Sequence, residues 1–181
     1  MIDAVKATQQ WLKTMVVGLN LCPFAAKPLA EQRVRFALCE ANDDDTIYQT
    51  FLQEVEHLLK TPVGELETTL LIVSHALTDF DDYLDMLEVL DDALIKAELE
   101  GVLQLASFHP DYLFADAPDN DPANYSNRSP FPTFHLIRED SLQDALENYD
   151  QPELIPENNQ KKLRALGILG IEALKNGTST K

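Results

Sequence analysis

Glycine is scarce in this chain, with six residues among 181. The glycine-rich patterns GxGxxG and GxxxxGK[ST], which hold dinucleotides and phosphates, do not occur. The GxSxG and HExxH patterns of hydrolases and metalloproteases are also missing. These absences argue against ordinary nucleotide hydrolysis and against dinucleotide redox chemistry.

Basic residues are few, because 14 Lys and Arg stand against 31 Asp and Glu and the formal net charge is -17. Most of the excess lies between Glu40 and Glu98, where Lys60 and Lys96 are the only basic residues. A field of this sign repels nucleic-acid backbones and anionic membrane surfaces. We therefore predict no nucleic-acid partner and no membrane partner. Solubility explains the acid excess, and docking of a basic protein partner is the alternative.

Cysteines and long apolar runs are scarce as well. Cys22 and Cys39 are too few for a disulfide scaffold. The N-terminus lacks a basic stretch followed by an apolar one, and no apolar run reaches the ~20 residues of a membrane span. These features predict a cytoplasmic protein with reduced thiols.

The apolar pattern predicts a single globular domain over residues 1–177, ending with Gly177 after the last helix, and a frayed tail at 178–181. Four segments are strand-like: 34–40, 68–76, 102–108 and 133–139. Helical stripes precede the first strand, separate the first three and follow the fourth. We expect helix starts at Asp3, at Thr46 with Gln49, at Thr78 and at Ser141 with Asp144.

Strands separated by helices imply a partly parallel sheet, and a fourth strand reached without a helix implies an antiparallel one. The predicted fold is therefore an α/β or α+β sandwich of two or three layers, with a mixed four-stranded sheet and flanking helices.

The segment 110–133 stands out as a loop of 24 residues between two predicted strands. Loops longer than ~12–15 residues are uncommon in compact domains and are usually functional or disordered. Aromatic residues and five prolines favour an ordered flap packed on the body of the domain. This segment is called the long loop below.

Histidines mark the predicted strand ends. Ligands on open α/β sheets gather beyond the carboxyl ends of parallel strands. His75 follows one strand, His109 follows another, and His135 lies where the long loop re-enters the sheet. If the second and third strands are parallel neighbours, we expect the first two imidazoles at one edge.

The long loop contains a single cation. Arg128, flanked by Asn127 and Ser129, could bind a carboxylate or phosphate through two hydrogen bonds. The alternative is that Arg128 pairs with loop aspartates and only holds the loop.

Cys22 lies between Leu21 and Pro23, after the first helix, and suggests either a nucleophile or a buried structural thiol. A zinc or iron site using His75, His109 and His135 with Cys22 or an aspartate is a further alternative. None of the short ligand spacings typical of such sites is present, so no metal ligands are assigned and the cofactor stays open.

Four stretches, "VVGLNLCPFA", "FHPDY", "DPANYSNRSPFP" and "HLIRE", resemble the bacterial family called domain of unknown function 1415. The resemblance covers nearly the whole chain. It implies no activity, but it marks as motif positions Asn20, Cys22, Pro23, Phe24, His109, Pro110, Asp121, Asn127, Arg128, Ser129, Pro130, Pro132 and His135.

Three functional hypotheses follow. The first is an enzyme acting on a small anionic or polar metabolite under the long loop. Its catalytic candidates are Cys22, His109 and His135, and its substrate-binding candidates are Asn20, His75, Asn127, Arg128 and Ser129. The second is a non-catalytic acidic interaction module, and the third is a metalloprotein with His and Cys ligands. The sequence leaves the substrate and the oligomeric state open.

Overall fold

The computed structural model describes residues 3–147 and 149–175. Six α-helices lie in these ranges: α1 (Ala4–Trp11), α2 (Ala26–Ala30), α3 (Asp44–Lys60), α4 (Phe80–Lys96), α5 (Glu139–Glu147) and α6 (Ile155–Lys175). The strands are β1 (Val34–Cys39), β2 (Thr68–Val73), β3 (Leu103–Phe108) and β4 (Thr133–Arg138). A π-helical turn (Leu12–Val17) continues α1, and 3-10 turns span Pro122–Ser126 and Pro152–Leu154. The predicted end at Gly177 and the predicted tail at 178–181 lie outside the described residues.

The four strands form one mixed sheet in the order β1-β2-β4-β3. β1 and β2 are parallel, and β4 is antiparallel to both β2 and β3. This arrangement confirms the predicted mixed sheet and the predicted antiparallel fourth strand. With its helices, the chain has an α+β fold.

The assumption that β2 and β3 are neighbours is wrong, because β4 lies between them. Both strands nevertheless run in the same direction, since each is antiparallel to β4. Their carboxyl ends therefore lie at one edge of the sheet, and β4 begins at that edge.

β3 and β4 pair as a hairpin although the chain between them is long. Phe108 pairs with Thr133, so the chain leaves β3 and enters β4 at the same pair of residues. Turns of two to five residues are enough for such a connection. The long loop is therefore much longer than the connection needs, and its 3-10 turn packs against α6.

Helices cover both faces of the sheet, so the molecule has three layers. One face packs Ala37, Leu71 and Phe134 against α3 and α4. The other packs Phe36, Leu70 and Phe108 against α1, the π-helical turn and α6. We call these the α3/α4 face and the α1/α6 face. Because side chains alternate along a strand, His135, which pairs with Leu70, belongs to the α1/α6 face.

Aspartate carboxylates cap the N-terminal ends of α1, α3 and α4. Asp3 accepts a hydrogen bond from the Lys6 N–H at 3.0 Å and caps α1, as predicted. Asp43, rather than Thr46, caps α3, and Asp79, rather than Thr78, caps α4. A carboxylate caps a helix and also interacts favourably with the positive end of its dipole, which explains these starts.

The C-terminal helices differ from the prediction in detail. α5 begins at Glu139, directly after β4, and not at a Ser141 cap. α6 is kinked at Gly167, whose φ of 68° and ψ of 166° belong to a region that essentially only glycine adopts. The kink separates two segments that bury Leu163 and Ile171 in the same core. No helix within the described ranges has the length and hydrophobicity needed to cross a membrane.

Candidate functional site

The long loop is fixed internally by the side chain of Asn124, which is fully buried. Its Oδ1 accepts from the Phe114 N–H at 3.1 Å, and its Nδ2 donates to the Pro118 carbonyl at 3.0 Å. Asn127 attaches the loop to β3 by donating from Nδ2 to the Ser107 carbonyl at 3.0 Å. These bonds hold both ends of the loop to its own middle and to the sheet.

A bidentate ion pair ties the long loop to α6. Arg164 on α6 donates to both carboxylate oxygens of Asp121, with Nη2 to Oδ2 at 2.7 Å and Nε to Oδ1 at 3.0 Å. Asp121 also accepts from the Ala123 N–H and so starts the 3-10 turn. The hydrogen bonds from Arg164 hold the pKa of Asp121 below its usual value.

Arg128 binds main-chain carbonyls of its own loop. Its Nε donates to the Tyr112 carbonyl at 3.0 Å, and its Nη2 donates to the Asp119 carbonyl at 3.2 Å. Its guanidinium lies 4.9 Å from the centre of the Tyr125 ring. These contacts join the two halves of the loop and favour the holding role over ligand binding, although the acceptors are carbonyls and not the carboxylates we expected.

His109 is completely buried at the start of the long loop. Its Nε2 donates to the Leu77 carbonyl at 2.9 Å, and its Nδ1 accepts from the Asp111 N–H at 3.1 Å. Burial lowers the pKa of this imidazole. With both ring nitrogens bonded to the main chain, His109 joins the loops that follow β2 and β3.

The structure shows no hydrogen bond that joins Ser129, His75 and Asn20 within the residues it describes. Ser129 is buried and donates to the Phe131 carbonyl at 2.6 Å. His75 is exposed and contacts Ser74 through its Nδ1 at 3.1 Å. Asn20 is exposed with a φ of 50° after the π-helical turn. None of these three lines the two cavities described next.

A cavity of about 350 Å³ lies between the long loop, the segment after the π-helical turn and the start of α6. We call it the outer cavity. All its lining side chains are uncharged: Val16, Leu21, Cys22, Phe108, Phe114, Ser126, Asn127, Ile155, Pro156, Asn159 and Gln160. Its volume falls in the range of small-molecule pockets, ~300–1,000 Å³.

A second cavity of about 90 Å³, the inner pocket, lies on the α1/α6 face. Its lining includes Cys22, Ala25, Leu70, His135 and Leu142. Cys22 is the residue that it shares with the outer cavity. The two cavities are therefore neighbours that meet at this residue.

His135 is half-buried in the inner pocket, and burial lowers its pKa to about 4. The Thr68 hydroxyl donates to the Leu136 carbonyl, so it accepts from His135 Nε2 at 2.6 Å. The imidazole is therefore neutral at neutral pH. Its Nδ1 has no hydrogen-bond partner within residues 3–147 and 149–175, and it can accept a proton or a hydrogen bond.

The Cys22 thiol is half-buried, and burial raises its pKa. Main-chain N–H groups of Phe24 and Ala25 oppose this effect without overcoming it. The thiol is therefore protonated at neutral pH. This state suits a wall or a weak hydrogen-bond donor, and a nucleophilic role would require a base such as His135 to take the proton.

The structure thus brings Cys22, Asn127 and His135 to one region and leaves the other predicted residues elsewhere. It also adds Asn159 and Gln160 of α6, which the sequence analysis did not select. Asn159 Nδ2 donates to the Leu21 carbonyl at 2.6 Å and so fixes α6 against the Cys22 segment. In the sequence, both residues belong to the uncharged run "NNQ", which lies between charged residues near the start of this helix. This run is the feature that could have identified them. No group of three His, Cys, Asp or Glu within the described ranges could hold a metal ion.

A family model described as "protein of unknown function (DUF1415)" matches residues 3–173 of the chain. No curated protein and no solved structure matches it.

We expect Arg128→Ala to lower the free energy of unfolding by about 1–3 kcal/mol, because three carbonyl and ring contacts within the long loop disappear. Arg128→Lys keeps the charge but cannot make both hydrogen bonds, so it should fall between alanine and wild type. Urea unfolding followed by circular dichroism measures the change. An alanine variant as stable as wild type would contradict the holding role and favour the predicted ligand contact.

His135 should make stability depend on pH. Its pKa is about 4 in the folded protein and ~6.5 in an unfolded chain, so the unfolded chain binds more protons between these values. Stability should therefore rise from pH 4 to 6.5, with a His135 contribution on the order of 3 kcal/mol that is complete above pH 6.5. His135→Gln should flatten the pH profile of urea unfolding relative to wild type. A profile for His135→Gln that equals the wild-type profile would refute the assignment.

Proposed function

The chain belongs to the DUF1415 family of proteins of unknown function, and we propose that it binds a small uncharged polar metabolite in the outer cavity, as a cytoplasmic protein. The match confirms the family inferred from the motifs. The observation that supports the proposal is the lining of the outer cavity. This cavity of about 350 Å³ is lined by two phenylalanine rings and by the amide and hydroxyl groups of Ser126, Asn127, Asn159 and Gln160.

The chemistry of the lining favours a neutral ligand over the anionic one considered from sequence. A buried anion needs a paired cation or several strong donors. Arg128 of the long loop already binds loop carbonyls, and Arg164 of α6 already binds Asp121. The net charge of -17 opposes an anion further. Amide groups can both donate to and accept from a neutral polar ligand.

The two asparagines in the outer cavity support binding because they are already oriented. Asn127 is held by Ser107 and Ser126, and Asn159 is held by Leu21. Each uses part of its hydrogen-bonding capacity in these contacts and keeps the rest for a ligand. Side chains fixed before binding lose less conformational entropy when the ligand arrives.

Binding is better supported than thiolate catalysis. Burial keeps Cys22 protonated, so a nucleophilic role would need proton transfer, with the neutral His135 as the available base. Catalysis by this pair, and by His109 as a third group, stays a prediction. The metalloprotein alternative receives no support from the residues that the structure describes.

Iodoacetamide, a small uncharged amide that alkylates thiols, serves as a probe of the outer cavity. We expect it to modify Cys22 with a rate that saturates with reagent concentration, because binding precedes reaction. Gln160→Trp, which fills the cavity, should slow modification by about tenfold, since thiol reactivity follows access. The matched variant Asn158→Trp, at an exposed position on the same helix, should behave like wild type. Mass spectrometry identifies the modified cysteine, and Cys22→Ser is the control.

Linear kinetics with equal rates in Gln160→Trp and Asn158→Trp would contradict the proposal. Iodoacetate supplies the charge comparison. The ratio of the alkylation rate with iodoacetamide to the rate with iodoacetate should be higher for Cys22 than for a free cysteine. Gln160→Trp should lower this ratio more than Asn158→Trp does.

A second candidate function, docking of a basic protein segment, is favoured by an acidic cleft of about 640 Å³ at the N-terminal ends of α3 and α4. Asp44, Asp45, Asp82 and Asp85 line the cleft, and no basic residue does. Negative charge of this density would attract lysine-rich segments through interactions that salt screens.

We expect a fluorescent octalysine peptide to bind the protein at low salt and to dissociate as salt rises. The double variant Asp82→Asn/Asp85→Asn should weaken binding about two- to tenfold. The control Glu88→Gln/Asp91→Asn changes the same charge on exposed positions of α4 outside the cleft. Fluorescence anisotropy measures the affinity. Equal losses in the two double variants would show that net charge, and not the cleft, attracts the peptide.

A further inference from the structure

The inner pocket is an apolar cavity that the proposed binding of a polar molecule does not use. Most of its lining is apolar: Leu12, Phe24, Ala25, Pro28, Val34, Leu70, Ile137 and Leu142. Its volume of about 90 Å³ is smaller than the ~150 Å³ cavity that can hold benzene, and it corresponds to about three groups of the size of a water molecule. The pocket therefore suits a short aliphatic group.

The charged residues around the inner pocket are already paired. Glu67 forms an ion pair with Arg33. Arg138 donates to the carbonyls of Leu58, Thr61 and Leu66 on the α3/α4 side of the sheet. Neither charge is free to bind a ligand ion, so an uncharged group is the occupant that fits. The remaining polar residues of the lining, Thr68, His135 and Ser141, are uncharged at neutral pH.

Cys22 lies where the two cavities meet. Its side chain lines both, and it packs in the same hydrophobic cluster as Phe108. Phe108 lines the outer cavity, His135 lines the inner pocket, and the centres of their rings are 6.0 Å apart. The outer cavity, which has the amide and hydroxyl groups, and the mostly apolar inner pocket are thus neighbours that share Cys22 as a lining residue.

We propose that the two cavities form a single binding site for an uncharged amphiphile. The polar head lies in the outer cavity against Asn127 and Asn159, and an apolar tail of about three carbon atoms passes Cys22 into the inner pocket. Ligands of this class include aliphatic amides and alcohols. The inference rests on the proposed function and extends it by assigning a tail pocket and a place for Cys22 at the passage.

The length of the tail should then set the affinity. Each methylene that leaves water for the inner pocket should tighten binding about three- to fourfold, until the pocket is full. The probes are linear primary amides from acetamide to hexanamide, which share one head and differ only in the tail. Each amide competes with iodoacetamide, and the slowing of Cys22 alkylation gives its dissociation constant.

Two neighbouring alanines provide a matched pair of variants. Ala25 lines the inner pocket and has helical φ and ψ values that leucine also adopts. Ala25→Leu should fill the pocket and abolish the gain in affinity with tail length. Ala26 is exposed and lines neither cavity, so Ala26→Leu should keep the wild-type series. Circular dichroism confirms that both variants are folded.

A variant that enlarges the pocket keeps the test decisive if Ala25→Leu does not fold. Leu142 lines the inner pocket from α5, and Leu142→Ala should move the best tail to a longer amide. Affinity that does not rise with tail length in the wild-type protein, or a rise that persists in a folded Ala25→Leu variant, overturns the tail pocket while leaving the outer cavity in place. If no amide of any length slows Cys22 alkylation, the proposed function itself fails, and the tail pocket fails with it.

Discussion

The pairing of β3 with β4 is the constraint on which the rest of the molecule depends. Phe108 and Thr133 lie opposite each other, so the chain must leave and re-enter the sheet at one point. A short turn would satisfy this geometry. The chain instead places 24 residues there, and these residues pack against α6 and form one wall of the outer cavity. The outer cavity therefore depends on a hairpin connection that is much longer than the pairing requires.

Internal hydrogen bonds fix the shape of the long loop, and this fixed shape allows it to form one wall of the outer cavity. Asn124 and Arg128 satisfy carbonyl and N–H groups that a long irregular segment would otherwise leave without partners. Asp121 and Arg164 then fix the loop to α6, and Asn159 fixes α6 to the segment that contains Cys22. This continuous chain of contacts encloses the outer cavity from three sides. The side chains of Asp121, Asn124 and Arg128 thus hold the shape of the loop, and the loop residues that line the cavity are uncharged.

Residues selected from the sequence line both cavities, although the signals that selected them differ in kind. The long loop and Cys22 stood out because proline content, length and position are local properties of the chain. Asn127 and His135 do reach the two cavities. His135 does so from the α1/α6 face in the middle of β4, and not from the sheet edge, because strand alternation decides the face. The caps at Asp43 and Asp79 were missed because several polar residues precede each helix, and backbone geometry selects among them.

By itself the sequence determined the four strands, the antiparallel return of β4 and the family, because apolar periodicity and short motifs are local signals. Tertiary structure alone decided that β4 lies between β2 and β3, since strand order depends on packing between segments distant in sequence. It also decided that Arg128 faces carbonyls and that Asn159 and Gln160 face Cys22 across a cavity. Which atoms a polar side chain meets depends on how helices and loops pack on the sheet, and no local pattern encodes that contact.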